Sequence, residues 1–526
     1  MPPKMKKKRT FFDVEENPNQ QQLEQYQNKK TQIKLEFTIT GIQSGHRYQI
    51  HTTFIELNDK FLTEAVNSHG NIITFNKCKL CDFYFEKEQI INITLIKDSM
   101  SEGFISIPLG QIVGSSKKPF ESPIGKNGTK IIITTEEIMD SKSYLDVQFD
   151  VQRVSLIDFN KPKYRFYYVI TSNERKVYSS ESLSWYGRFE PVKIPVALIQ
   201  NGFTITFLDN NNNCLGFTNQ NLDTIVKLKD QFLLSLMING KKLNIFNRAV
   251  LIKNISFIDY IRKGVTIKLN IGIDYTSTNR PPNDPLSYHY LEGENDYEQA
   301  IKACGIIIAY YDYNQLFPVY GYGAIIENQQ IPNMCFNVNL KNNPEIYTID
   351  NVIKEYHNSF KHLILAGPSN FSPLINHVLI NIKRENNPLK YHILLILTDG
   401  IINDMFDTID SLVEGSFLPL SVIIIGIGNN NFKDMEQLDG DQFPLINSRG
   451  VKRMRDHVHF VPFNKYKYNP KLLAEKVLEE IPRQIIEYYT MNNITPDNLE
   501  SAQIISQSNY NNNNYVPNSG NNYVKN

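Results

Sequence analysis

Residues 266–279 read TIKLNIGIDYTSTN. Ile267, Leu269, Ile271 and Ile273 alternate with less apolar residues, and the run ends in Asp274-Tyr-Thr276-Ser-Thr278. The alternation predicts a buried strand. Asp274, Thr276 and Thr278 then sit on the loop leaving its C-terminal end, where open α/β sheets bind their ligands. One carboxylate and two hydroxyls on a short loop form a hard-oxygen donor set, suited to Mg²⁺ or Mn²⁺.

Two later stretches can complete such a set. HILLILTDG (392–400) predicts a fully buried strand that delivers Asp399 to its C-terminal loop. AGPSNF (366–371) predicts a turn carrying Ser369, between helices expected over TIDNVIKEYHNSFKHLIL and SPLINHVLINIKRE. If the strands neighbour one another, Asp274, Thr276, Thr278, Ser369 and Asp399 reach one point. Mg²⁺ takes six oxygen ligands and keeps waters. A site with two carboxylates and three neutral hydroxyls therefore leaves a position open to a carboxylate from a partner. No nucleophile or general base accompanies these residues, so the expectation is binding, not an enzyme.

Outward from this core, apolar strands alternate with helical patterns over 256–492, for example LSVIIIGIG, VHFVPF and NPKLLAEKVLEEIPRQIIEYYTMN. This predicts an α/β Rossmann-like domain with a mostly parallel sheet covered on both faces. Upstream the texture is short alternating runs between polar turns. It predicts two antiparallel β-sandwiches, over 31–143 and 144–255, and a multidomain α+β chain. Residues 1–30, with Lys6, Lys7, Lys8 and Arg9, and the Asn-rich 493–526 are expected to be disordered.

Composition narrows the function. Among 526 residues, 55 Lys and Arg balance 55 Asp and Glu, which excludes a general nucleic-acid binder. Five cysteines give no disulfide framework and fit a reducing compartment. No apolar run reaches the ~18 residues of a spanning helix, and MPPKMKKKRT has no apolar core behind its charges, so no secretory signal is expected. The expected location is cytoplasmic, with peripheral membrane contact. His457 and His459, two apart on a predicted strand, are expected to be surface residues.

The same stretches carry a resemblance. SFIDYIRKGVTIKLNIGIDYTSTN, YEQAIKACGIIIAYYDYNQLFPVYGYGA, LLILTDGIINDM, LPLSVIIIGIGNNNFKDMEQLDGD and RDHVHFVPF resemble a von Willebrand factor A-type domain with a metal-ion-dependent adhesion site, and more narrowly the copines. Copines carry two C2 domains before the A-type domain. DFYFEKEQIINITLI and FEPVKIP are similar to parts of those. At the metal site, Thr278 stands where copines usually have Ser, and Ser369 where they have Thr; both exchanges keep a hydroxyl.

The resemblance implies a calcium-dependent phospholipid-binding adaptor. It would associate reversibly with the plasma membrane or other membranes, respond to cellular calcium, and recruit partner proteins through the A-type metal. A C2 calcium site needs about five carboxylates from two loops, since Ca²⁺ takes six to eight oxygens. This chain offers Asp98 and Glu102 in the first unit. The second offers Asp158, followed by Lys161-Pro162-Lys163, and Asp209, followed by four asparagines. By ligand count both units fall short, which leaves an alternative: a calcium-independent cytosolic interaction scaffold.

Overall fold

The protein was analysed as a computed structural model that describes residues 31–56, 59–115, 118–125, 128–138, 143–153, 165–184, 187–238, 241–253, 255–440, 443–499 and 501. These fall into two compact units. One is Glu137–Asn254 with residues 31–33; the other joins Lys34–Glu136 to Ile255 onward.

The alternating runs become strands, as their period of two dictates. Thr31–Thr40 buries Ile33, Leu35, Phe37 and Ile39 and turns its intervening side chains outward. It lies in a five-stranded sheet; a second is built on Arg47–Phe54 and Ile90–Lys97, and Phe37 of the first meets Phe61 of the second (ring centroids 6.2 Å). In the other unit Phe166, Tyr168 and Ile170 of Arg165–Ser172 meet Phe203, Ile205 and Phe207 of Phe203–Asp209 in one core. Tyr168 stacks edge-on against Phe149 and Phe189 there, at 4.9 Å each.

The α/β region contains five parallel strands: β1 (Thr266–Asp274), β2 (Leu316–Tyr322), β3 (Lys390–Thr398), β4 (Leu420–Gly426) and β5 (Val458–Pro462). Their order is β2-β1-β3-β4-β5, with Phe336–Asn337 and Glu345–Tyr347 antiparallel to β2. Every residue of β4, and all of β3 after Lys390, is buried, as a sheet covered on both faces requires. The helices used below are α1 (Phe257–Arg262), α2 (Asp296–Ile308), α3 (Ile349–Ser359), α4 (Ser372–Glu385), α5 (Met405–Gly415), α6 (Lys433–Asp439), α7 (Pro470–Leu478) and α8 (Ile481–Met491). From β1 the chain passes to β2 on one side and then to β3 on the other. The switch point of the sheet therefore lies between β1 and β3.

Three expectations are corrected. The helix expected over 348–365 ends at Ser359, and Leu363–Leu365 is instead a strand paired with Ala324–Ile326. Three apolar residues in a row carry no period, and pairing decided them. His457 is fully buried rather than on the surface. Over 493–499 the expected disordered tail gives way to packed chain: Tyr260 donates to the Ile494 carbonyl (2.9 Å) and Leu499 is buried. The remaining expected disorder, 1–30 and 502–526, lies outside the described residues.

Within the larger unit the first sandwich packs directly on the α/β region. Phe85 meets Phe257 of α1 (ring centroids 5.0 Å) and Tyr311 (4.8 Å). Gly114 approaches so closely that a Cβ there would stand 2.1 Å from the Tyr310 carbonyl oxygen.

Candidate metal centre

The register of β1 and β3 pairs Ile273 with Leu397, so Asp274 and Thr398 leave the sheet side by side. Thr398 Oγ1 donates to Asp274 Oδ2 (3.1 Å). Asp274 Oδ1 accepts from the Thr276 main-chain N–H (2.9 Å) and from Thr276 Oγ1 (2.6 Å). Thr276 Oγ1 lies 2.9 Å from Thr278 Oγ1. Asp274 and Thr276 are buried, while Thr278 is exposed and opens the site to solvent.

The Ser369 loop is tied to this one. Thr276 bridges Ala366 in parallel, and the Ser277 N–H donates to the Ala366 carbonyl (2.7 Å). Ser369 is then fixed from β3's exit loop: its N–H donates to Asn403 Oδ1, and its carbonyl accepts from the Asn403 N–H, both at 2.8 Å. Asp404 accepts from the N–H groups of Phe371 and Ser372, each at 2.9 Å. Asp399 is 1% exposed; Oδ1 accepts from the Ile401 N–H (3.1 Å) and its carbonyl from Asn430 (2.7 Å). The structure thus gathers the loops of all five residues read from the sequence at the switch point.

Two features fit these residues to a cation. Ser369 Oγ is buried, with no hydrogen-bond partner, although a buried hydroxyl ordinarily has one. Burial, and then the nearby Asp399 charge, raise the Asp274 carboxyl above the usual carboxylate range. A cation reverses both causes, because it gives the dry carboxylates an opposite charge and the hydroxyl a ligand role. Among the described residues no group of three or more His, Cys, Asp and Glu gathers. A site of two carboxylates and three hydroxyls holds only two such residues, and such a set suits a hard divalent ion.

A supporting layer was not evident from the sequence. His289 Nε2 donates to the Asp274 carbonyl (2.8 Å) while Nδ1 accepts from Tyr356 (2.7 Å). Burial holds that imidazole neutral, its pKa lowered to about 3. Asn279 Nδ2 donates to Thr276 Oγ1 (3.2 Å), and Asn279 Oδ1 accepts from Tyr297 of α2 (2.8 Å). The Asn-Asp step of IINDM, just before α5, was the one visible signal: such pairs favour helix starts.

The C2-type acids are placed differently. Asp98 accepts from His46 Nδ1 (2.6 Å) and the Arg47 N–H (2.9 Å), contacts that hold it below the usual carboxylate range. Glu102 sits half-buried on Met100–Pro108. Asp209 accepts from the Asn213 side chain (2.9 Å) and from the N–H groups of Asn211 and Asn213, a self-contained turn. Asp158 lies outside the described residues.

Among solved structures, the paired C2 domains of Extended-Synaptotagmin 2 align over 48% of this chain and 99% of that one, at 10% identity and a TM-score of 0.21. The SpRpn10 VWA domain aligns over 40% of this chain and 94% of that one, at 12% identity and a TM-score of 0.26. The copine family model matches residues 287–497. Copine-D of Dictyostelium discoideum is 31% identical over 468 residues, covering 80% of this chain and 87% of that protein. Two sandwiches, a parallel sheet with a polar switch point, and this identity along most of both chains establish that the protein belongs to the copine family.

Proposed function

We propose that this copine is a peripheral membrane adaptor: its β-sandwiches dock on anionic phospholipid and its A-type domain recruits partner proteins through Mg²⁺ or Mn²⁺. The single observation carrying the metal reading is the buried, unpartnered Ser369 hydroxyl on a loop tied to those that carry Asp274 and Asp399. Asp274, Thr276, Thr278, Ser369 and Asp399 would hold the ion. When bound, it supplies a Lewis-acidic position that accepts a partner's acidic side chain. The chain's own groups do the rest: Asn279 and His289 fix Thr276 and Asp274, and Asn403 fixes Ser369. No acid–base pair or nucleophile accompanies them, so the reading is not enzymatic.

The first sandwich supports the membrane reading through its Lys97–Met100 turn. Met100 is 73% exposed at the tip and pairs with Lys97, while Asp98 between them holds His46 and the Arg47 N–H. An exposed apolar side chain beside a lysine suits the surface of an anionic bilayer. Asp98 and Asp209 already serve local turns, and this favours a second reading, in which lipid or protein binding needs no calcium. The test is co-sedimentation with phosphatidylserine vesicles, titrating free calcium against a chelator. Calcium-triggered binding supports the calcium-dependent adaptor. Binding that ignores calcium but falls with salt supports the second reading. No binding under either condition removes the membrane role.

A further inference from the structure

A cavity of about 620 Å³ opens inside the larger unit, between the first sandwich and helices α2 and α7. Its volume falls in the range of roughly 300–1,000 Å³ typical of small-molecule sites. Phe54 and Tyr84 wall it on the sandwich side; Ala303, Ile306, Ile307 and Ala474 wall it on the helical side. Ile306 is 44% exposed although apolar, because it faces this space.

Charge tells which ligand would suit it. The lining carries five carboxylates, of Glu56, Asp82, Glu88, Glu294 and Glu475, against three ammonium groups. Each ammonium is already matched: Lys87 with Glu475 (3.4 Å), Lys302 with Glu294 (2.6 Å) and Lys471 with Glu56 (3.7 Å). Glu88 is half-buried and accepts only the Tyr310 hydroxyl (3.2 Å); among the described residues no cation pairs with it. A carboxylate next to an apolar wall, with every local ammonium taken, complements a ligand with a positive head and an apolar body.

We propose that this cavity binds a small lipophilic amine, its ammonium on Glu88 and its apolar body between Tyr84 and Ile306. The site is separate from the metal centre, and the proposal does not depend on a metal being bound.

The test is fluorescence titration of the full chain with dansylcadaverine, a primary amine on an aromatic body, and with its uncharged N-acetyl derivative. The amine should bind saturably, one per chain, and the acetylated form about tenfold more weakly, the worth of one charge-assisted contact. Glu88→Gln keeps an acceptor for Tyr310. It should weaken the amine by a similar factor and leave the acetylated probe unchanged. Ala303→Trp fills the cavity and should abolish both; Ile306→Trp is the alternative if the first variant does not fold, judged by its melting temperature. Non-saturable binding, equal binding of the two probes, or folded variants that bind like the wild type would each overturn the proposal.

Discussion

Asp274 and Asp399 leave adjacent parallel strands at the same end of the sheet, both buried, and the charge of Asp399 adds to burial in raising the Asp274 carboxyl to about 7. Two like charges in a dry site disfavour each other's ionised form. The metal-free fold therefore carries a penalty that a cation would relieve.

That penalty has a defined pH sense. A carboxyl whose folded pKa exceeds its unfolded value contributes stability that is complete below the unfolded value, 3.8, and is lost as pH rises toward 7. In chelator, raising pH through this window should cost the wild type melting temperature relative to Asp274→Asn, which lacks this titration. Saturating Mn²⁺, at ~100 times its dissociation constant, should restore about 2.7 kcal/mol near pH 7.5 and much less at pH 5. Thermal melts at the two pH values, with and without Mn²⁺, check this; an equal metal effect at both would contradict it.

Gly323 should be a sensitive position for the metal although it is no ligand. Its φ is +81°, and a Cβ there would stand 2.4 Å from Thr276 Cγ2. Gly323→Ala should displace Thr276 and weaken Mn²⁺ binding by about 10–100-fold, as loss of an orienting contact does. The left-handed backbone should add roughly 1–2 kcal/mol of destabilisation. Calorimetric titration and denaturant melts separate the two effects.

Acid should loosen the fold from the opposite side. His392 and His457 are buried, and burial is the first cause lowering both pKa values, that of His392 to about 3. A histidine with a depressed folded pKa contributes stability that is complete above its unfolded value, near 6.5, and is lost as pH falls. At pH 5 each should cost roughly 2 kcal/mol relative to pH 8. Denaturant melts of His457→Leu should show a smaller loss between pH 8 and pH 5 than the wild type. An identical loss would mean that His457 does not titrate in this way.

Met100→Asp should reduce partition into phosphatidylserine vesicles about tenfold or more, the worth of burying one such side chain. The variant should melt like the wild type, because Met100 is exposed at a turn. Unchanged vesicle binding would move the membrane-facing surface elsewhere.

The ligand loops were legible because strand-end chemistry is local: an apolar run followed by Asp-x-Thr-x-Thr, or by Thr-Asp-Gly, needs no distant partner to be seen. The contacts that complete the centre were not. Thr398 sits at the end of an apolar run, and its bond to Asp274 spans 124 positions of sequence. His289 and Asn279 look like ordinary loop polar residues until α2 and α3 bring Tyr297 and Tyr356 beneath them. Leu363–Leu365 misled because three apolar residues fit a helix end as well as a strand. The seating of the first sandwich on the A-type domain rests on pairs such as Glu88 with Tyr310, 222 positions apart, which no period or motif announces.

The most direct measurement is Mn²⁺ binding to the purified chain, followed by electron paramagnetic resonance of free and bound ion, for wild type, Asp274→Ala and Ser369→Ala. The account predicts one bound Mn²⁺ per chain, displaced by Mg²⁺, lost in Asp274→Ala and weakened about tenfold in Ser369→Ala, as for one lost ligand contact. No bound Mn²⁺, or binding that both variants retain at wild-type strength, would contradict a metal centre at this switch point.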